Sequence, residues 1–125
     1  MTLEGLVRLS LWITAPFNLL VGFAFAVPGS LPGQILMLPE FPISFYTVFA
    51  GAMVAFFGGV YIWLALQKEI IKPLLAVGAI GKALAVIIAV SFFFAGGFAW
   101  LPTLFISGDL AFVALWGYFM TRRND

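Results

Sequence analysis

Charged side chains are confined to a few short stretches of this chain, and the intervals between them are apolar. No Asp, Glu, Lys or Arg occurs between Arg8 and Glu40, between Glu40 and Lys68, or between Lys82 and Asp109. Each interval is long enough for a helix that crosses the ~30 Å hydrocarbon core of a bilayer. With Pro, Gly and charge as punctuation, the pattern predicts transmembrane helices at about 6–27, 43–66, 74–95 and 103–121. The alternating polarity of barrel strands is not seen, and open strands or loops at lipid depth would leave backbone N–H and C=O groups unpaired. The expected fold is therefore all-α. Residues 1–125 form a single four-helix transmembrane domain, packed as an antiparallel bundle.

Charge at the helix ends predicts how the bundle sits. Arg8, then Lys68 with Lys72, then Arg122 with Arg123 all fall on one side of a four-span topology. Basic residues favour the cytoplasmic side, so both termini and the 67–73 loop are expected there, with 28–42 and 96–102 outside. Trp12, Trp63, Trp116 and Tyr118 are expected as aromatic anchors at the inner interface, and Tyr46 and Trp100 at the outer one. Glu4, Arg8, the apolar run from Leu9 and Ala24-Phe25-Ala26 imitate a secretory signal and its cleavage site. We read that segment as a retained first membrane helix.

The outer loop is unusual in its own right. Pro28, Pro32, Pro39 and Pro42 make 28–42 stiff and turn-rich, so it is no fifth span. Ile35-Leu36-Met37-Leu38 is too apolar for a solvated loop, so the piece is expected on the outer interface or folded over the bundle mouth as a lid. Glu40 beside it is an outer-loop site candidate, with a solvated carboxylate at headgroup level as its ordinary role.

Composition supports the membrane reading and removes chemistries. Hydrophobic residues make up 64% and charged residues 9%, against roughly 25% charged in an ordinary soluble domain. With no Cys and no His, disulfides, thiolate nucleophiles and the usual metal and haem ligands are excluded, and no metal or cofactor is expected. A net charge of +1 without a basic stripe argues against nucleic acid, and no nucleic-acid partner is expected.

In lipid, close approach of backbones at small residues replaces the hydrophobic effect between helices. Gly51, Ala55 and Gly59 on helix 2, and Gly81, Ala85 and Ala89 on helix 3, form two such seams. Against this background two ionisable residues stand inside the spans, Lys82 and Asp109. Either one alone at mid-membrane costs about 2.5–3.5 kcal/mol on insertion scales. At about 1.5 Å of rise per residue, Lys82 lies roughly 15 Å above Lys72, Asp109 roughly 18 Å above Thr121, and Asn18 roughly 15 Å above Arg8. Equal depth on antiparallel neighbours predicts an ion pair supported by the Asn18 amide, with Tyr61 reaching the edge of the layer. Such a polar centre is either a ligand or ion site or a buried bridge that fixes helix register. Gly78, Gly81 and Gly108 leave room beside the charges for a helix or a ligand. Phe17, Phe56, Phe57, Phe92, Phe93, Phe94 and Phe112 supply an aromatic wall or face acyl chains.

Chain size, four spans, the proline-rich first loop, Gly58-Gly59, Gly81-Lys82 and Gly108-Asp109 in the opening turns of helix 4 together resemble the small bacterial four-helix membrane proteins grouped as DoxX-like. The resemblance implies the fold, a bacterial inner membrane and an accessory role, and it transfers no catalytic residue. Three functions follow as expectations. The first is a non-catalytic component that binds a lipid-like molecule, quinone or pigment among membrane lipids, or serves as accessory subunit of a larger membrane complex. The second is a homo-oligomeric transporter or channel using Lys82 and Asp109. The third is a membrane enzyme on an apolar substrate, with one of those residues as acid or base, or with a Schiff base on Lys82.

Overall fold

The structure is a computed structural model that describes residues 1–122. Six helices follow one another: α1 (Leu3–Ala26), α2 (Leu31–Ile35), α3 (Phe45–Leu66), α4 (Lys72–Phe94), α5 (Trp100–Ser107) and α6 (Asp109–Thr121). Three long helices and the combined stretch Trp100–Thr121 are long and apolar enough to cross a membrane. The protein is an integral membrane protein built as a four-helix bundle.

Local chemistry explains where the helices start. The Thr2 hydroxyl accepts from the Gly5 N–H at 3.0 Å, with Glu4 in the first turn, where a carboxylate favours the helix dipole. Ser44 and Thr47 form a reciprocal capping box at the start of α3. Pro73 near the start of α4 needs no N–H partner there, so α4 begins at Lys72 without a side-chain cap.

Two features depart from the expected four uniform spans. Residues 28–42 contain a short helix, α2, capped by Ser30. Among the described helices it packs on α1, and no residue of 28–42 lines the interior cavity described below. The fourth span is broken into α5 and α6. At the Ser107-Gly108 pair the Gly108 N–H is shared between the Leu104 and Phe105 carbonyls at 3.2 Å each, and Ala111 donates back to Gly108 in a tighter turn. Gly and Ser pairs are common sites of such interruptions.

One end of the bundle is tied by cations. Arg8 on α1 donates to the carbonyls of Ala65 and, at 2.7 Å, Gln67, so its guanidinium caps the C-terminus of α3. Lys72 donates to the Arg122 carbonyl at 3.1 Å beyond the end of α6. The N-terminus, the turn around Lys68 and the end of α6 thus share one face of the bundle. Arg123 lies outside the described residues.

The helices form two tight pairs, α1 with α3 and α4 with α5–α6. In the first pair Gly22 and Gly51 pack so closely that a Cβ on Gly22 would sit 2.6 Å from the Gly51 carbonyl oxygen. Gly58, further along, lies against the Ala15 carbonyl. The seam therefore runs Gly51, Ala55, Gly58 and not Gly59, which faces open space. On α4, Ala89 is buried, while Gly81 and Ala85 line the cavity. A further correction concerns Trp116. It is fully buried, so it is a core residue and no interface anchor, whereas Trp12, Trp63, Trp100, Tyr46 and Tyr118 are exposed. Its indole N–H needs a partner once buried and finds the Ser10 hydroxyl at 2.8 Å.

Candidate functional site

Lys82 occupies the middle of α4 and is only 3% exposed. A buried ammonium has to be paired, and this one is paired on several sides. Its Nζ donates to Asp109 Oδ1 at 2.9 Å and to Asn18 Oδ1 at 3.4 Å. The rings of Tyr61, Phe112 and Trp116 stand around it, with centroids 5.1, 5.2 and 5.8 Å from Nζ. At those distances the negative ring faces attract the cation, and they do so more strongly where water is excluded.

Each partner is held by its own helix. The break at Gly108 makes Asp109 the first residue of α6. A carboxylate there is favoured by the positive end of the half-helix as well as by Lys82. Asn18 is oriented by α3: its Nδ2 donates to the Val54 carbonyl at 3.1 Å. Glycine at 58 permits that approach, because a Cβ there would meet the Asn18 Cβ at 3.1 Å. Tyr61 is set against α4 in the same way. Its hydroxyl donates to the Gly78 carbonyl at 3.4 Å, and a Cβ on Gly78 would fall 2.8 Å from its ring. The room left by Gly78 is thus filled by a neighbouring side chain, while Gly81 faces Phe57 at ordinary contact distance.

Beyond the ion pair lies a cavity of about 400 Å³ between the two helix pairs. Phe17, Val21 and Phe25 from α1, Met53 from α3, and Phe105 from α5 form its apolar walls. Thr14, Asn18, Tyr61, Lys82 and Asp109 gather at its polar end. The cavity is partly open, and among the described residues neither α1 nor α3 packs against α5, so the walls part in that half of the bundle. Towards Arg8 the interior is filled instead by Val7, Leu11, Tyr61, Leu64, Leu75, Ala79 and Trp116.

Of the five candidate residues read from the sequence, the structure brings Asn18, Tyr61, Lys82 and Asp109 together at one level. Glu40 lies apart, exposed in the segment between α2 and α3. Sequence reading missed Thr14, which is 1% exposed and lines the polar end. It also missed the inward position of Trp116. A signal for Thr14 existed in its spacing, since it lies one helical turn from Asn18 on the same face. Among known proteins, no family, no curated sequence and no solved structure matches this chain.

Proposed function

We propose that the protein is a non-catalytic membrane component that holds a lipid-like apolar molecule in the cavity between its helix pairs. The observation that carries this reading is the cavity itself. Its volume falls in the range of small-molecule sites, roughly 300–1,000 Å³, and its walls are apolar and aromatic with a few convergent polar groups at one end. Ion conduction through one chain is disfavoured by the same geometry, because the packed residues from Val7 to Trp116 close the path towards Arg8. General acid or base chemistry is disfavoured because Lys82 is already committed to Asp109, Asn18 and three rings.

The grouping of Arg8, Lys72 and the Arg122 carbonyl at one end supports an orientation with both termini in the cytoplasm. The resemblance to DoxX-like proteins supports a bacterial inner membrane and leaves the bound molecule as the link to a larger complex. The test is extraction of the full chain in native nanodiscs followed by mass spectrometry. A lipid in stoichiometric amount is expected, and Val21→Trp, which pushes an indole into the cavity beside the polar end, is expected to lose it. Equal lipid content in both proteins would overturn the reading.

A further inference from the structure

The polar end of the cavity specifies which headgroup it takes, and this inference rests on the binding reading above. Lys82 and Asp109 cancel each other's charge, so the layer is neutral before anything binds. A carboxylate or phosphate headgroup would bring a like charge beside Asp109 in a medium of low dielectric, and an amine would do so beside Lys82.

Hydrogen-bonding capacity narrows the choice further. Asn18 gives one amide N–H to the Val54 carbonyl and accepts from Lys82 at Oδ1, which leaves its second N–H as a donor that an alcohol oxygen can take. Tyr61 donates to Gly78. Asp109 uses Oδ1 for Lys82, and its side chain is 26% exposed and lines the cavity. Its Oδ2 takes no hydrogen bond among the described residues. The Thr14 hydroxyl takes none either, although the residue is almost wholly buried. Among the described residues no polar side-chain atom that is sealed from the surface lacks a partner. The Thr14 oxygen therefore keeps a trace of surface, beside the cavity that the residue lines. An ionised carboxylate oxygen accepts and cannot donate, so the unmet group beside Lys82 calls for a donor, and Thr14 can both donate and accept.

We propose that the cavity binds an uncharged, hydroxyl-bearing lipid of the long-chain alcohol class, with its O–H donating to Asp109 and Thr14 completing the headgroup contact. Its chain lies along Phe17, Val21, Phe25 and Met53 and leaves through the gap between α1 and α5. A quinone offers acceptors alone and leaves Oδ2 unmet. A fatty acid carries the wrong charge.

Tritiated oleyl alcohol bound to the delipidated full chain in detergent provides the test, with unlabelled competitors. Saturable binding of one molecule per chain is expected. Oleyl methyl ether, which keeps the shape and loses the donor, is expected to compete about tenfold more weakly, and oleate and decylubiquinone no better than the ether. Thr14→Val is expected to weaken the alcohol by about threefold with the unfolding midpoint unchanged. Equal competition by the ether would mean that solvent meets Oδ2, and would overturn the headgroup assignment. Stronger competition by oleate or decylubiquinone, abolished by Val21→Trp, would overturn it too while keeping the cavity as a binding site. Absence of saturable binding for all four probes would remove both readings.

Discussion

The two halves of the bundle, divided at the level of Lys82, solve the same packing problem differently. Towards Arg8, Leu11, Leu64, Leu75, Tyr61 and Trp116 interlock across both helix pairs, and each of them is buried. Away from Arg8 each pair remains closed on itself, α1 on α3 at Gly22 and Gly51, but the pairs stand apart. In water an apolar gap of that kind would be driven shut by the hydrophobic effect. In a bilayer no such drive exists between helices, because acyl chains are as apolar as the side chains they replace. A gap persists wherever no interlocking side chains span it. The difference teaches that closure in this protein comes from specific contacts, the ion pair among them, rather than from general apolarity.

The largest test of that division strikes the boundary itself. Asp109→Ala leaves the Lys82 ammonium buried without its counter-charge, and is expected to destabilise the bundle by about 3–5 kcal/mol. Reversible unfolding in mixed micelles measures it. The double variant Lys82→Met with Asp109→Leu, which removes both charges, is expected to recover most of that loss. A double variant as unstable as the single one would show that the pair does more than neutralise itself. Trp116→Ala acts just inside the packed half. It opens a cavity and leaves the Ser10 hydroxyl without its indole partner, and is expected to cost up to about 3 kcal/mol by the same assay.

A smaller effect is expected at the end of the packed half. Arg8→Gln removes the cap on the α3 carbonyls, but Arg8 is partly solvated, so the loss is expected to be about 1 kcal/mol. Hydrogen exchange of the last turn of α3 is the more sensitive readout, and should rise there while the amides around Gly22 stay protected. Uniform exchange across α3 would instead mean that Arg8 holds the whole pair together.

Depth was legible in the sequence and direction was not. Asn18, Lys82 and Asp109 could be put in one layer because helical rise converts residue number into height, and height alone brings groups on antiparallel neighbours together. Which face a residue presents needs contrast between faces, and α6 is apolar all round, so nothing marked Trp116 as inward. Gly58 and Gly59 show the same loss of information: adjacent glycines point about 100° apart on a helix, and both satisfy a small-residue spacing. The break before Asp109 left only the Ser107-Gly108 pair as its sign, in a run otherwise fit to be one continuous helix. The separation of the two pairs beyond Lys82 left no local sign, since it depends on where interlocking stops.

The smallest effect on stability discriminates best between the halves. Val21 and Leu75 are both aliphatic residues facing the interior, one at the cavity and one in the packed core. Leu75 is fully buried, so Leu75→Trp must displace its neighbours from their rotamers, at a cost of about 1–3 kcal/mol or more. Val21→Trp enters the cavity instead, and is expected to change stability by no more than about 0.5 kcal/mol. The two variants add aromatic bulk on either side of the same ion pair. If they destabilise equally, the cavity is not a standing feature of the fold and the division at Lys82 fails. If Val21→Trp is neutral for unfolding yet eliminates lipid retention, the unclosed half is maintained for its occupant and contributes little to holding the helices together.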